Sequence, residues 1–417
     1  MKDKMLKEQL NLSIPSAFEY VVVTLISMVD VFFLSTLGSI ELAAVGAMVP
    51  VISFVNLLTK SIQVSDNVLL SKQLTKKNDS KLKLITGNAV ILAIIFQILC
   101  VSITLLISPA LPIIFKVDKI CLTYLYIRLI GSIPSTITFI VSGHISSLGK
   151  SKEMLYIKVF TLIMNIILDY YFIKYGYGVA GVAISTVIVE TINMLILIPM
   201  SKEEIKYKID NNIMNEILDL TKHGLLDRSF DRGSKLIVNI ILSRLGTFEY
   251  AAHVILNQIE SFVNDFCYGF GLGITTNVGM KYSKDKNIDK IENAINKVTY
   301  TLVLILPIVI LIFSIIFLPM LLKDEKSLLI AKQLLPLVIF YALLMPIKYK
   351  TSGIIEGLKE FKYNGRVSSI VNASKVILSF ILSMTLGIKG VWLTFIICYI
   401  ILILLLKRRI NIVLSKT

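Results

Sequence analysis

Charge is scarce in this chain. Only 17% of its 417 residues are Asp, Glu, Lys or Arg, against about 25% in an ordinary soluble domain. Histidine is scarcer still: His144, His223 and His253 are dispersed and show no metal-ligand spacing. The four cysteines, Cys100, Cys121, Cys267 and Cys398, lie in or beside apolar stretches without paired spacing. That argues against both a disulfide framework and a zinc site. There is no Gly-x-Ser-x-Gly nucleophile elbow. The run from Gly143 to Ser151 resembles a phosphate-binding loop, but it places five residues between its glycines where four are needed. It also follows an apolar helix rather than a strand, and reads as a tight turn with lysines. Hydrolytic and nucleotide-cleaving chemistry therefore lack their residues. No enzyme, no cofactor and no resident metal are expected.

Apolar residues take the place of charge, at 55% of the chain and a mean hydropathy of +0.78. A hydrocarbon core of roughly 30 Å needs about 20 apolar residues per helix. About twelve such spans can be read, near 14–37, 42–71, 84–107, 120–145, 154–174, 178–200, 223–245, 249–280, 292–322, 328–355, 365–386 and 388–407. Pro50, Pro134, Pro307 and Pro346 fall inside them, which membrane bundles tolerate. The net charge of +15 invites a nucleic-acid partner, but its distribution argues against one. Lysines gather after every second span, as at Lys76, Lys77 and Lys81, at Lys150 and Lys152, and at Lys281, Lys284 and Lys286, while the alternate loops hold few. That is the positive-inside pattern, with both termini cytoplasmic. The wealth of Ile, Lys and Asn suggests an AT-rich bacterial genome, hence a bacterial inner (cytoplasmic) membrane. Span one is too long for a cleavable signal and lacks a small-residue cleavage site.

The chain is also written twice. Leu34 to Gly38 recurs as Leu242 to Gly246, a step of 208, and Ser53-Phe54-Val55-Asn56 recurs identically as Ser261-Phe262-Val263-Asn264. One residue out of that register, Gly178-Val179-Ala180-Gly181-Val182 falls on Gly387-Ile388-Lys389-Gly390-Val391. Repeated halves around a midplane site are a common construction of transporters. The sequence therefore predicts an all-α polytopic membrane protein with twelve transmembrane helices in two pseudo-symmetric six-helix lobes. The lobes are expected at 1–200 and 223–417. The polar segment 201–222 would join them as an amphipathic cytoplasmic linker, with Ile205, Ile209, Ile213 and Ile217 every four residues.

Charge in hydrocarbon costs about 2.5–3.5 kcal/mol per residue even on a lenient scale. Ionisable residues inside the spans are therefore the functional candidates. Asp30 lies deep in span one, Asn165 and Asp169 share a face of span five, and Thr186, Glu190 and Asn193 share a face of span six. If these faces converge, their oxygens could hold Na⁺, or neighbouring carboxylates could hold a proton. Otherwise Asp30 and Asp169 would sit near helix ends as solvated acids. The second half carries Asp227, Arg228, Asp231 and Arg232 at the start of span seven, and His253, Glu260, Asn264 and Asp265 in span eight. The 208 step sets Asp227 opposite Glu19, but sets Val238 opposite Asp30. The span-seven charges serve equally well as a helix anchor.

These residues resemble the multidrug and toxic compound extrusion (MATE) family over nearly the whole chain. The resemblance is carried by Pro15 with Glu19, Asp30, Leu37-Gly38, Leu42 to Gly46, Asn165-x-x-x-Asp169 and Gly178-x-x-Gly181 with Thr186. In the second half it is carried by Asp227-Arg228, Arg232-Gly233, Tyr250 to His253 and Gly269-Phe270-Gly271. The chain departs from the family pattern at Lys60, Asp66, Glu190 and Asn264-Asp265. The resemblance implies cation-driven export of small organic compounds by alternating access, by a protein that is usually monomeric. It carries the cation site onto Asp30, Asn165, Asp169 and Thr186, with Glu190 as an added acid. A substrate cavity is expected near Glu19, Asp227, Arg228, Arg232, His253, Glu260 and Asp265, suited to an organic cation. Alternative readings are a flippase or exporter of a lipid-linked or endogenous metabolite in the same superfamily, a membrane acyltransferase using His223 near Asp227, and an inactive transporter fold.

Overall fold

The computed structural model describes residues 2–74, 79–147, 150–202, 205–285 and 289–415, and no strand occurs among them. Fourteen α-helices follow one another: α1 (Lys2–Ser35), α2 (Ser39–Val55), α3 (Leu57–Leu74), α4 (Asp79–Ile107), α5 (Leu111–Phe115), α6 (Ile120–Ser147) and α7 (Ser151–Lys174). Then come α8 (Gly178–Ser201), α9 (Asn211–Ser243), α10 (Thr247–Asp285), α11 (Asp289–Leu321), α12 (Glu325–Gly357), α13 (Phe361–Leu386) and α14 (Ile388–Leu414). α5 is a short tail to α4 beyond Pro109, and α2 and α3 are one pass bent by 43° at Asn56. Polar side chains at that bend are met by α4: Gln97 donates to Asn56 Oδ1 (2.9 Å) and accepts from Thr59 (2.8 Å). Fourteen helices thus make twelve passes, as expected.

Eight passes are long and apolar enough to cross a membrane by composition, or nine with the bent pair. The remaining three are α1, α9 and α10, which carry most of the polar candidates. Among the described residues α1 contributes a shorter apolar stretch, Tyr20–Ser35, and the polar side chains of a helix within a membrane need protein partners.

Those partners decide how the chain divides. One compact unit comprises Met1–Ser39 with Ile241–Thr417, and the other Ile40–Ile240. The boundaries therefore differ from the expected 1–200, 201–222 and 223–417. Each unit still has six passes, but α1 belongs with α10 to α14, and α9 with α2 to α8. The physical reason lies in the polar side chains. On α1, Gln9 donates to Ser13 (2.7 Å) and accepts from Asn277 of α10 (2.8 Å), and Ser13 donates to the Phe270 carbonyl (3.1 Å). Tyr20 meets Tyr268 edge-on at 4.8 Å. On α9, Thr221 is 2.9 Å from Ser65 of α3, and Glu216 pairs with Lys81 of α4 at 3.2 Å.

The expected linker is also more than a tie. Ile205, Ile213 and Ile217 are buried in the core of the second unit, among Ile62, Leu69, Leu70, Ile85 and Ile145, whereas Ile209 is exposed. The segment before α9 is strapped to α4. Asn88 donates to the Lys208 carbonyl (2.9 Å) and accepts from the Asp210 amide (2.8 Å), and the Lys206 amide donates to the Lys83 carbonyl (2.8 Å).

The repeat is visible in the backbone. A shift of 208 carries Ser35, the end of α1, onto Ser243, the end of α9, and Ser39 onto Thr247, where α2 and α10 begin. The intervening turns use Gly38 (φ 146°) and Gly246 (φ 155°), a conformation that a Cβ disfavours. Gly178 (φ 54°) and Gly387 (φ 56°) likewise open α8 and α14. Three residues on, Gly181 packs against Phe172 of α7, and Gly390 packs against the Leu382 carbonyl of α13. The Gly-x-x-Gly string thus makes a turn and then a close helix contact, once per half. A Cβ at 390 would strike backbone rather than a movable side chain. Gly390→Ala should therefore destabilise the protein by about 1–3 kcal/mol, read as a lower melting temperature in detergent. An unchanged melting temperature would contradict this packing.

Candidate functional site

The second unit holds a group of buried polar side chains on α7 and α8. α7 and α8 run back on themselves through the turn at 175–177, and Gly181 lets them approach. That contact brings Asp169 of α7 to Ser185 of α8, whose hydroxyl lies within hydrogen-bonding reach of the carboxylate. The same hydroxyl is 2.9 Å from the Val182 carbonyl. Asp169 and Asn165 are wholly buried. One turn before Asp169, neither the oxygen nor the nitrogen of the Asn165 amide has a hydrogen-bond partner among the described residues. Thr186, also buried, donates to the Val182 carbonyl (2.9 Å). Sequence reasoning named Asn165, Asp169 and Thr186 but missed Ser185, whose neighbour Thr186 drew attention by matching a family motif.

Glu190 stands differently from the oxygen ligand expected of it. It pairs with Arg128 of α6 at 3.2 Å, both side chains largely shielded at 22% and 15% exposure. Its charge is already balanced by a protein cation, so it does not contribute a spare negative charge to the group. Arg128 is a basic residue in the middle of span four, and that signal was present in the sequence. Asp30 is half-buried on α1, in the first unit. The five expected cation ligands are thus divided, with Asp30 in one unit and the other four in the second.

The first unit gathers a second polar group, from α1, α10, α12 and α14. Asp265 accepts from Thr24 (2.5 Å) and from Asn264 (3.3 Å). Asn264 Oδ1 in turn accepts from Tyr349 (2.8 Å) and Tyr399 (3.4 Å). Tyr341 lies 4.6 Å from Tyr399, and Tyr268 lies 5.7 Å from Tyr349, ring centre to ring centre. The Lys348 ammonium sits 3.6 Å over the Tyr349 ring, a close cation–π contact. Glu260 is half-buried one helical turn before Asn264. Lys348 and the tyrosines were not anticipated, because the sequence search inside spans followed acids and histidines.

The other expected cavity residues have the following surroundings. His253 is a core residue: it is 3% exposed and its ring packs between Tyr250 (6.0 Å) and Trp392 (5.6 Å). Arg228 donates to the Lys60 carbonyl at 3.4 Å within the second unit. Asp231 pairs with Lys235 (3.3 Å) and approaches Arg232 (3.9 Å), which makes this stretch of α9 a locally balanced charge cluster. The side chains of Glu19 and Asp227 lie outside the described residues.

An all-helical chain with two repeated halves and carboxylates buried among apolar helices is the build of a membrane transporter. The MatE family model matches residues 15–171 and 231–385, once in each half. The probable multidrug resistance protein NorM of Thermotoga maritima is 25% identical over 291 residues, covering 66% of this chain and 62% of that protein. The match therefore spans less than two thirds of that relative. Among solved structures, an inward-facing multidrug resistance MATE family transporter of the MOP superfamily is 20% identical with a TM-score of 0.79, over 94% of this chain and 96% of its own. A MOP superfamily transporter from Pyrococcus furiosus, described by the reverse polarity of its binding pocket, is 20% identical with a TM-score of 0.71, over 99% and 97%. The chain belongs to the MATE family, a family of multi-pass membrane transporters and not of enzymes.

The Arg128–Glu190 pair can be tested apart from transport. Removing one member of a buried pair strands the other charge. Arg128→Leu should cost about 3 kcal/mol, while Arg128→Leu with Glu190→Leu should regain most of it in thermal melts. Equal losses in the single and double variants would show that the two side chains act separately.

Proposed function

We propose that the protein is a cation-coupled antiporter that exports small organic compounds by alternating access, with Asp169 as a coupling carboxylate. The observation that carries this reading is the hydrogen-bond count around Ser185. A serine has one hydroxyl proton, and two acceptors compete for it, Asp169 and the Val182 carbonyl. If Asp169 carries a proton, it donates to Ser185, and Ser185 donates to Val182, so both contacts are made. A Na⁺ ion is the other candidate, because Asn165, Asp169, Ser185 and Thr186 all offer the oxygen atoms that hard cations need.

Loading would move the equilibrium between arrangements of the two units only if the ion prefers one of them. One charge crossing 100 mV supplies roughly 2.3 kcal/mol. Asp30, on α1, is proposed as a second carboxylate needed for coupling. The tyrosines and acids of the first unit suit an organic cation, and Lys348 over Tyr349 already displays such a contact. Lys348 also supports the second reading, export of an anionic or lipid-linked metabolite. We place the protein as a monomer in a bacterial cytoplasmic membrane with both termini inside, in keeping with its lysine-rich loops and without a nucleic-acid partner.

Inverted vesicles loaded by an imposed H⁺ or Na⁺ gradient test the coupling. Asp169→Asn and Asp30→Asn should each lower gradient-driven uptake of a cationic dye at least tenfold, with normal protein levels in the membrane. Undiminished uptake in Asp169→Asn would refute this reading, and the gradient that works names the ion.

A further inference from the structure

The first unit holds a lysine inside a membrane pass whose hydrogen-bond partner is neutral. Lys350, on α12, is half-buried. Its ammonium donates to Asn296 Oδ1 of α11 at 2.5 Å and stands 5.9 Å from the ring centre of Tyr300, one turn further along α11. Charged groups whose fields reach it include Glu292, one turn before Asn296, and Lys407 of α14. Among the described residues Lys350 makes no ion pair.

These side chains stand at one level. Asn296 is seven residues after the start of α11 at Asp289, Lys350 is seven before the end of α12 at Gly357, and Lys407 is seven before the end of α14 at Leu414. Each is about 10 Å along its helix from that end. α11 and α12 have 33 residues each, and a hydrocarbon core takes about 20, so the level is that of the lipid headgroups. Lysines crowd the sequence beside these ends, at Lys281, Lys284 and Lys286 and at Lys359 and Lys362.

The helices leave a groove there. α12 packs along both α11 and α14, which have little contact with each other. Ile295, Ile354 and Leu406 belong to the core beneath, while Tyr300 and Lys407 are exposed. Further into the membrane, Leu304 follows Tyr300 by one turn, and Leu404 and Ile400 share the Lys407 face of α14; all three are exposed.

The free donors suit one class of ligand. Lys350 spends one ammonium proton on Asn296 and keeps two. Asn296 accepts through its oxygen, which leaves its NH2 group to donate, and Tyr300 adds a hydroxyl. The two ammonium groups outweigh the Glu292 carboxylate. A phosphodiester brings one negative charge and two free oxygens to such a set. A soluble anion has no use for Leu304, Ile400 and Leu404, whereas the chains of a phospholipid would lie along them. Basic pockets between membrane helices hold anionic headgroups by this combination.

We propose that Lys350, Asn296, Tyr300 and Lys407 bind the headgroup of one anionic phospholipid at the lysine-rich membrane face of the first unit, with its chains on Leu304, Ile400 and Leu404. The site uses none of the coupling carboxylates and none of the residues around Asn264, and it does not depend on what the protein carries.

The test is lipid binding by the whole protein in detergent, read by native mass spectrometry with dioleoyl phosphatidylglycerol or dioleoyl phosphatidylcholine added. Wild type should retain one phosphatidylglycerol at a concentration about tenfold below that needed for phosphatidylcholine. Lys350→Met should weaken phosphatidylglycerol binding about tenfold, and Lys407→Gln about fivefold, with phosphatidylcholine binding unchanged in both. Lys297→Gln, beside Asn296 but exposed, should alter neither lipid. Glycerophosphoglycerol, the same headgroup without chains, should not displace the lipid. Equal retention of the two lipids by wild type would overturn the proposal. So would unweakened phosphatidylglycerol binding in Lys350→Met, or a loss in Lys297→Gln as large as in Lys350→Met. Displacement by glycerophosphoglycerol would overturn the lipid assignment in favour of a soluble phosphodiester. Where Lys350→Met does not fold, the wild-type preference and Lys407→Gln decide the matter.

Discussion

Hydrocarbon supplies no hydrogen bonds, so a polar side chain inside a membrane span must find its partner in protein. That constraint governs the arrangement of this chain. The polar side chains of α1, α9 and α10 are tied by hydrogen bonds to residues distant in sequence. Gln9 and Ser13 reach α10, Thr24 reaches Asp265, and Thr221 reaches Ser65. The first helix of each half thereby joins the unit built from the other half. Charges near helix ends obey a weaker form of the same rule: Arg409 binds both oxygens of Glu360 at 3.0 Å, and Lys281 reaches Glu8 at 3.5 Å.

Much of this fold could be read from residue order. The passes are apolar and long, and the repeat shows because tight turns and close helix contacts demand glycine. Gly38 and Gly246, or Gly181 and Gly390, cannot drift without strain or collision, so the strings around them stay recognisable. The fourfold spacing of Ile205, Ile213 and Ile217 was equally plain, yet it did not say which surface would receive them. Periodicity identifies a face and leaves its partner open. For the same reason the membership of α1 and α9 was hidden. Helices adjacent in sequence were grouped together, whereas the polar contacts that decide grouping lie 135 residues apart or more.

The candidate sites were legible in their acids and hidden in the partners of those acids. Asp169 and Asn165 could be found by spacing within one helix. Ser185 could not, since its importance comes from meeting a different helix. Arg128 turned Glu190 from a spare acid into half of a pair, and Lys348 placed a positive charge in a region read as acidic. His253 misled because an imidazole between Tyr250 and Trp392 serves as a flat ring in the core. In each case the residue type was visible, and its role depended on a neighbour far away in sequence.

The two halves share a backbone plan but differ in chemistry. The 208 step puts Val238 opposite Asp30 and Ile274 opposite Asp66, and the 209 step of the Gly-x-x-Gly string puts Leu378 opposite Asp169. In the second unit Asp66 and Asp169 are met by hydroxyl groups. A hydroxyl can satisfy a lone pair of a carboxylate without itself carrying a charge. In the first unit Asp265 is met by a hydroxyl and an amide, within an arrangement of tyrosines that already holds the ammonium of Lys348. Rings and amides discriminate among larger molecules by shape and hydrogen bonding, and they bind a bare ion less well than oxygen ligands do. The duplicated scaffold thus carries unequal polar groups in its two units, and the duplication fixes the helices without fixing what they bind.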